Sequence, residues 1–381
     1  MTPMRILVTG ATGYVGSRLV ASLLRDGHEV VVASRNVTRL ADFGWFDDVT
    51  PVYLDAADAE SVASAFTVAG SVDVVYYLVH GIGQPDFREA DNRAARNVAL
   101  AAKEAGVRRI VYLGGFVPEA GELSEHLTSR AEVAEALTVE GGPDVVWLGA
   151  AIIIGAGSTS FELLRYVGDR FLLIPMPPWA HNGLDPISIS DVLHYLVAAA
   201  DGERVPAGSY DIRGPETTTY GDLLLSYARL SEKRRTGVPV PNVDMRIVSQ
   251  VAALFVPVPG GLASDLVESL DFPMTASNRG LTDLVPAPPG GLVGIDEAIQ
   301  LSLASRKQRP VNHLIDPHHL ADTDPDWAGG DILRLRKLAA LVTPTHVHPV
   351  LGLLGAVPGP VAGWWRTGLD TVLALAPRSA S

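Results

Sequence analysis

The stretch Val8–Gly16 reads Val-Thr-Gly-Ala-Thr-Gly-Tyr-Val-Gly, and its glycines, Gly10, Gly13 and Gly16, have the spacing G-x-x-G-x-x-G. An apolar run precedes this stretch, and a pattern with helical periodicity follows it. Glycines at such a turn allow a tight bend, close approach of the backbone to a pyrophosphate and close packing of helix on strand. Because the turn lies between a predicted strand and a predicted helix, it predicts a dinucleotide-binding site.

Short apolar runs alternate with amphipathic runs through the first 150 residues. This alternation is typical of βαβ units, in which parallel strands form a sheet and helices cover both faces. The sequence therefore predicts an α/β fold: a Rossmann-type doubly wound parallel sheet, followed by a smaller mixed C-terminal substrate region. The predicted strands are 5–9, 29–33, 52–54, 72–78, 109–113 and 145–148, and the predicted helices are 14–25, 59–66, 87–105 and 128–139.

The regular alternation ends near residue 150. We predict an NAD(P)-binding Rossmann domain at 1–150, a region that completes the sheet and binds substrate at 151–305, and an irregular, apolar C-terminal extension at 306–381. Three interpretations of its apolar part, 350–365, stay open: a tail packed on the body or at a dimer interface, a lid over a lipophilic substrate, and peripheral membrane contact. For the middle region we expect strands at 184–189, 209–212 and 238–240 and helices at 190–200, 220–231 and 243–255.

Composition excludes several classes of function. The chain has 381 residues, with 30 Lys and Arg against 43 Asp and Glu, and this net charge of −13 argues against a nucleic-acid partner. It contains no cysteine, which excludes disulfides, thiolate nucleophiles and Cys-ligated metals. Residues 247–264 and 338–365 lack charged side chains, but prolines interrupt both, so we expect no transmembrane span. No secretory signal is visible at the start, and we expect a cytoplasmic protein.

The residues after the second predicted strand indicate which nucleotide binds. NAD-selective sites place a carboxylate near the end of this strand, whereas a 2′-phosphate calls for arginine. Here the sequence is Ala33-Ser34-Arg35-Asn36, with Arg39 one turn later and no carboxylate. Ser34, Arg35 and Arg39 therefore favour NADP(H) over NAD(H), the alternative being two solvated arginines on the surface.

Further motifs carry a family resemblance. The glycine spacing, Asp55 after the third strand, and Asn92 and Asn97 together resemble the extended and atypical short-chain dehydrogenase/reductases over about residues 4–230, and Asp191 adds a similarity to NmrA-like proteins. The resemblance implies three groups of cofactor contacts. The first group, at the pyrophosphate, is Gly10, Thr12, Gly13, Tyr14 and Val15, in the turn that ends at Gly16. The second group, at the adenine, is Asp55 and Ala56. The third group, at the nicotinamide ribose, is Leu78, Val79 and His80.

The chain departs from that family at the expected active site. The family uses Tyr-x-x-x-Lys with a serine upstream, whereas this chain has His126 at the tyrosine position, Arg130 at the lysine position and glycines where the serine would lie. Histidine exchanges protons at neutral pH, so His126 is a candidate acid or base; the alternative is that it only lines the pocket. Arg130 stays charged and is a candidate cofactor contact, and Ser129 is a further candidate catalytic hydroxyl.

These observations predict an NADP(H)-binding atypical short-chain dehydrogenase/reductase, an oxidoreductase acting on a small or lipophilic carbonyl compound. One alternative is a non-catalytic NADP(H)-binding redox sensor or assembly protein, and a weaker one is a sugar-nucleotide epimerase. We expect no metal site. Proline interrupts the histidines of the segment 313–319, so they do not have the i, i+4 spacing of a metal site on a helix. The sequence leaves the oligomeric state open.

Overall fold

The structure is a computed structural model that describes residues 2–79, 87–116, 125–241, 257, 269–277, 280–304, 307–331, 333–334 and 337. Its strands are β1 Arg5–Thr9, β2 Glu29–Ser34, β3 Thr50–Tyr53, β4 Val74–Tyr77, β5 Arg109–Gly115, β6 Asp144–Ala150, β7 Ile153–Ile154, β8 Leu173–Met176, β9 Gly183–Leu184, β10 Ile187–Ser188, β11 Gly208–Asp211, β12 Thr218–Thr219 and β13 Thr236–Pro239. Its helices are α1 Tyr14–Arg25, α2 Ala59–Ala69, α3 Phe87–Glu104, α4 Glu125–Leu137, α5 Thr159–Arg170, α6 Ile189–Ala199, α7 Tyr220–Leu230, α8 Gly280–Leu284 and α9 Ile295–Ala304.

Seven strands form one parallel sheet in the order β3-β2-β1-β4-β5-β6-β11. The chain builds outward from β1 in one direction through β2 and β3, then returns to the other side of β1 with β4. Ligands of such sheets bind outside the carboxyl ends of the strands, at the point where the strand order reverses. The glycine turn leaves β1 at this reversal, and the predicted Rossmann-type sheet is confirmed.

Apolar layers cover both faces of the sheet. Successive side chains of a strand point to opposite faces, so Ile6 and Val8 join the layer that packs on α1 and α6, while Leu7 joins the layer that packs on α2, α3 and α4. The strands therefore read as continuous apolar runs, as expected where both faces are buried. Tyr76 and Tyr77 of β4 are fully buried in these layers.

The strands and helices predicted for the first 150 residues all appear, with ends that differ by three residues or fewer. The strand expected at 184–189 is wrong. Leu184 pairs antiparallel with β12, whereas Ile187 and Ser188 pair parallel with β7, because Asp185 and Pro186 interrupt the run and proline has no N–H for a ladder. The helix expected at 243–255 lies outside the described residues.

The segment 307–331, here called the C-terminal strap, packs against the first helix of the sheet domain. Arg18 of α1 donates to the carbonyl oxygens of Pro317 and His319 over 2.9 Å each. Val311, Leu320 and Ala328 are buried. Among the described residues, no helix combines the length and the hydropathy needed to cross a membrane. The domain boundaries stay a prediction.

Candidate functional site

The three glycines of the turn have different surroundings. Gly10 has φ +70°, and a Cβ there would lie 2.5 Å from the carbonyl oxygen of Leu78. A Cβ on Gly16 would lie 2.3 Å from the carbonyl oxygen of Gly10, so helix and turn pack as closely as backbone allows. Gly13, in contrast, is exposed, and a Cβ there would meet only the Gly10 oxygen, at 3.2 Å. The open backbone at Gly13 fits an approaching pyrophosphate.

Helix α1 begins with the features of an anion site. Gly13 is its N-cap, and no acidic residue lies in its first turn, so the positive end of the helix dipole is not neutralised locally. Thr12 and Val15 are half-buried at this turn. The side chain of Tyr14 belongs to the interior: a Cβ on Gly155 would lie 2.0 Å from its hydroxyl, and burial raises its pKa.

The end of β4 is tied to β1 by a side chain. The hydroxyl of Thr9 donates to the carbonyl of Tyr76 over 3.0 Å and accepts from the backbone N–H of Leu78 over 3.3 Å. Leu78 and Val79 are half-buried beside the glycine turn, where the resemblance places the nicotinamide ribose. His80, assigned to the same group, lies outside the described residues.

The loop expected at the adenine is held in one shape. The hydroxyl of Ser61 accepts from the N–H of Asp55 over 2.9 Å, and the amide of Asn97 donates to the carbonyl of Ala56 over 3.0 Å. Asn97 therefore fixes the backbone of this loop from α3.

The end of β2 presents two arginines on a fixed turn. The N–H of Asn36 donates to the hydroxyl of Ser34, and the side-chain oxygen of Asn36 accepts from the N–H of Arg39, both over 3.1 Å. Arg35 and Arg39 are exposed, and neither guanidinium forms an ion pair with a described residue. Two unpaired positive charges thus lie next to the carboxyl end of β2, with no carboxylate at the strand end.

Helix α4 carries the residues that take the place of the Tyr/Lys pair. Arg130 is 3% exposed; its Nη2 lies 3.9 Å from Oδ2 of Asp91, and its Nε and Nη2 form no hydrogen bond with the described residues. Ser129 is fully buried, and its hydroxyl likewise has no hydrogen-bond partner in the described part of the chain. The backbone of His126 lies in α4, but its side chain is outside the described residues.

Ion pairing fixes α4 against α3. The Arg88 guanidinium and the Asn92 amide both donate to the carboxylate of Glu132, over 2.6 and 2.9 Å to Oε2. The hydrogen bonds from Arg88, aided by the one from Asn92, lower the pKa of Glu132 to about 2. Asn92, one of the residues of the family resemblance, therefore positions α4. Asp91, the residue before Asn92, forms an ion pair with Arg130. Nothing in the sequence indicated this pairing except that Asp91 lies next to Asn92.

Aromatic rings fill the space of the missing serine. Tyr77, Tyr112 and Trp147 are cross-strand neighbours, with ring centroids 6.1 and 6.2 Å apart. A Cβ on Gly114 would lie 2.7 Å from Nε1 of Trp147 and 3.0 Å from the Tyr112 hydroxyl. A serine side chain has no room at position 114. The packing of these aromatic rings therefore requires the glycine by which the chain departs from the family pattern.

The histidine-rich segment 313–319 does not form a metal cluster. Among the described residues no group of three or more histidine, aspartate or glutamate side chains is arranged to hold a metal ion. His318 instead hydrogen-bonds to Asp316 and Ser188.

Residues 10–124 match a family model described as NAD(P)H-binding, so the N-terminal part of this chain is an NAD(P)H-binding domain. The match spans the glycine turn, the end of β2 and the end of β4, the regions described above. It agrees with the predicted resemblance to the atypical short-chain dehydrogenase/reductases.

Two relatives extend beyond this domain. The chain is 24% identical over 225 residues to a mitochondrial protein of Arabidopsis thaliana, NADH dehydrogenase [ubiquinone] 1 alpha subcomplex subunit 9; the match covers 57% of this chain and 55% of that protein. It is 26% identical over 280 residues to (4-alkanoyl-5-oxo-2,5-dihydrofuran-3-yl)methyl phosphate reductase of Streptomyces griseus, covering 74% of this chain and 91% of the reductase. The chain thus spans about half the length of the plant subunit.

Solved structures share the fold. A nucleoside-diphosphate-sugar epimerase from Staphylococcus aureus superposes with a TM-score of 0.63 at 18% identity, covering 78% of this chain and all of the epimerase. At this identity the likeness shows the architecture alone. The chain therefore has a Rossmann-like α/β fold with a parallel sheet of seven strands.

Proposed function

We propose that this protein is an NADP(H)-dependent oxidoreductase of the atypical short-chain dehydrogenase/reductase type, acting on a small or lipophilic carbonyl compound. The observation that carries the proposal is the pair of exposed, unpaired arginines, Arg35 and Arg39, at the carboxyl end of β2. The NAD(P)H-binding match establishes the nucleotide class, and these arginines are the basis for assigning the phosphorylated form.

Charge at the end of β2 favours a 2′-phosphate. A carboxylate at this place accepts hydrogen bonds from an unmodified ribose and repels a phosphate, whereas guanidinium groups donate to phosphate oxygens through charge-assisted hydrogen bonds. Ser34, whose hydroxyl already anchors the turn, holds Arg35 beside the strand end. A phosphate between Arg35 and Arg39 would supply the partners that these side chains lack among the described residues.

The described residues fit the remainder of the cofactor. Gly13 and the start of α1 would hold the pyrophosphate, and Nε and Nη2 of Arg130, which donate to no described residue, would hold a ribose hydroxyl. When bound, the nicotinamide supplies or accepts the hydride. The protein's task is then to orient the substrate and to exchange a proton, for which His126 or a water molecule is the candidate.

The Streptomyces reductase supports the assignment of substrate class. It acts on a compound with an oxo group beside a carbon–carbon double bond, according to its name, and its match extends over most of both chains. We propose a related carbonyl substrate, no nucleic-acid partner and a cytoplasmic location, the last two supported by the net charge and the absence of cysteine.

The test is NADPH consumption against a panel of carbonyl compounds that includes conjugated ones. We expect turnover that falls about 100-fold in Arg130→Met and is largely retained in Arg130→Lys, which restores the residue type of the family. Arg93→Met, which removes an exposed arginine of α3, is the matched control. His126→Ala should lose a factor of about 10² to 10⁴ while nucleotide binding persists. Full turnover in Arg130→Met would contradict the assignment.

A non-catalytic role is the second candidate. The observation that favours it is the loss of the Tyr/Lys pair together with the packing that excludes a serine at Gly114. The likeness to a subunit named for NADH dehydrogenase supports an assembly function built on bound nucleotide. This alternative predicts that the protein binds NADPH but does not consume it with any compound in the panel. It also predicts that His126→Ala has the same oligomeric or partner-bound state as wild type.

A further inference from the structure

A chain of hydrogen bonds runs between the strap and the start of α6. Oδ1 of Asp316 lies 2.6 Å from Nδ1 of His318, and Nε2 of His318 lies 2.8 Å from Oγ of Ser188. Oγ of Ser188 lies 2.6 Å from Oγ of Ser190. His318 and Ser188 are buried, whereas Ser190 is only partly buried. The chain therefore connects a buried imidazole to a hydroxyl near the surface.

The direction of these hydrogen bonds follows from the available donors. Burial raises the pKa of Asp316, but the hydrogen bonds from His318 hold it below its usual value, so this carboxylate accepts from Nδ1–H. The relay uses the tautomer of His318 that carries its proton on Nδ1. Nε2 is then an acceptor, and the Ser188 hydroxyl must donate to it. Ser188 also accepts from the backbone N–H of Ser190 over 3.1 Å, which leaves one lone pair for the Ser190 hydroxyl. The Ser190 proton is thus directed toward His318.

Ser190 opens into a groove of about 510 Å³. The groove lies between α1, α6 and the strap, and its volume is within the range of small-molecule sites. Its walls combine apolar and polar side chains, and the charged lining includes Arg18 and Arg25 of α1 and Asp26 after it. Side chains that line the groove include Ala21, Arg25, Leu193, His194, Val197 and Leu314.

Groups of both signs surround Ser190. Ser190 is the second residue of α6, where the helix dipole is positive. The neighbouring carboxyl of Asp191 accepts from the backbone N–H of Val293, and burial raises its pKa to about 6. Arg18, on the opposite wall, is neutralised by Asp324. The other titratable side chains that line the groove are Arg25, Asp26 and His194.

We propose that Ser190 is the nucleophile of a second site, which cleaves carboxylic esters. The Ser190 oxygen bonds to the ester carbonyl carbon, while its proton passes to Ser188 and the proton of Ser188 passes to His318. The ester carbon–oxygen bond breaks, and the leaving alkoxide regains the proton along the same path. Water then releases the acid by the same steps, so ester and water give acid and alcohol.

Nothing in this site depends on the nucleotide. The residues that move the proton lie on α6 and the strap, and the groove is lined by the helical layer beneath the sheet rather than by the carboxyl ends of its strands. The role of Ser190 can therefore be separated from the proposed reductase.

The experiment treats the full-length protein with an alkyl fluorophosphonate, from which a serine oxygen displaces fluoride. We expect one phosphonyl group, located at Ser190 by peptide mass spectrometry, and hydrolysis of p-nitrophenyl butyrate. Ser190→Ala should lose both. Ser22→Ala, which removes another hydroxyl of the groove wall, should retain both.

The relay is tested by its more distant members. Ser188→Ala and Asp316→Asn should slow phosphonylation of Ser190 by about 100-fold. Asp316 is partly exposed, so Asp316→Asn still tests the relay if the change at buried Ser188 prevents folding. NADPH binding reports on folding in each variant. Absence of labelling at Ser190 in the folded protein, or equal labelling rates in wild type and Asp316→Asn, would overturn the proposal.

Discussion

The sheet domain and the C-terminal strap are stabilised in different ways. The sheet buries continuous apolar strands between two layers of helices, and its cofactor turn is shaped by glycines at places where backbone touches backbone. The strap contributes few apolar residues and is held largely by buried charges, of which Arg18 with Asp324 and Arg170 with Asp331 are bidentate pairs. The strap's position therefore depends on charge pairing more than on burial of apolar area.

The buried charges of the strap are well satisfied. Nη1 and Nη2 of Arg18 donate to the two carboxylate oxygens of Asp324 over 3.0 and 2.7 Å. Glu162, fully buried, accepts from the N–H groups of Gly157 and Gly329 over 3.0 Å each. Such partners offset the desolvation of the ions, but they make each ion dependent on its partner. Arg18 lies on the helix that begins at the glycine turn, so the strap also supports the cofactor end of α1.

Removing one member of the Arg18 pair should break the strap most strongly. Asp324→Ala leaves a buried guanidinium without its counter-ion, and we expect the free energy of unfolding to fall by about 3–5 kcal/mol. Urea denaturation measures this loss. Asp326→Ala, which removes an exposed carboxylate that pairs with Lys337, is the control and should change stability little. A loss in Asp324→Ala no larger than in the control would refute the importance of buried charge.

The corresponding change in the sheet domain acts through the backbone. Gly10→Ala places a side chain at φ +70° and against the Leu78 carbonyl, and we expect a loss of about 1–3 kcal/mol together with weaker nucleotide binding. Gly27→Ala is the control: its φ is +82°, but nothing lies within 4 Å of the new Cβ. It should cost about 1 kcal/mol and leave binding unchanged. Equal losses in both variants would show that the Leu78 contact is unimportant.

The two regions also differ in how far the sequence predicts them. Helix 14–25 and strand 5–9 could be located because periodicity and glycine spacing are local signals. The partner of Arg18 is 306 residues away, and no local pattern indicates that a particular aspartate will reach it. In the site, the arginines after β2 were visible in the sequence.

The packing of side chains across neighbouring strands could not be predicted from the sequence either. The sequence shows a glycine where the family has serine, but only the structure shows that Trp147 and Tyr112 fill the space beside Gly114. The sequence predicts a helix from residue 190, whereas Ser188 is the N-cap of α6 in the structure. Its hydroxyl is engaged by His318 from a segment 130 residues later, which residue type cannot reveal.

A titratable group between the regions gives a smaller effect that depends on pH. Burial raises the pKa of Asp191 to about 6, so the folded protein binds this proton more tightly than the unfolded chain and loses stability as pH rises from about 4 to about 6. Asp191→Asn removes the loss and keeps an acceptor for Val293. We expect the variant to match wild type at pH 4 and to exceed it by about 3 kcal/mol at pH 7.5.

Urea midpoints across this pH range measure the difference. Asp222→Asn, at the corresponding exposed place in the first turn of α7, is the control and should show no comparable gain. A constant difference between wild type and Asp191→Asn from pH 4 to 7.5 would contradict the linkage.

The central claim, that the sheet domain binds NADP(H) through the arginines after β2, is tested most directly by calorimetric titration with NADPH and NADH. Wild type should bind NADPH at least tenfold more tightly. Arg35→Ala should weaken NADPH binding about tenfold, which corresponds to about 1.4 kcal/mol, and leave NADH unchanged, whereas the control Arg25→Ala should alter neither. Equal affinity of wild type for both nucleotides, or equal weakening of both in Arg35→Ala, would contradict the claim.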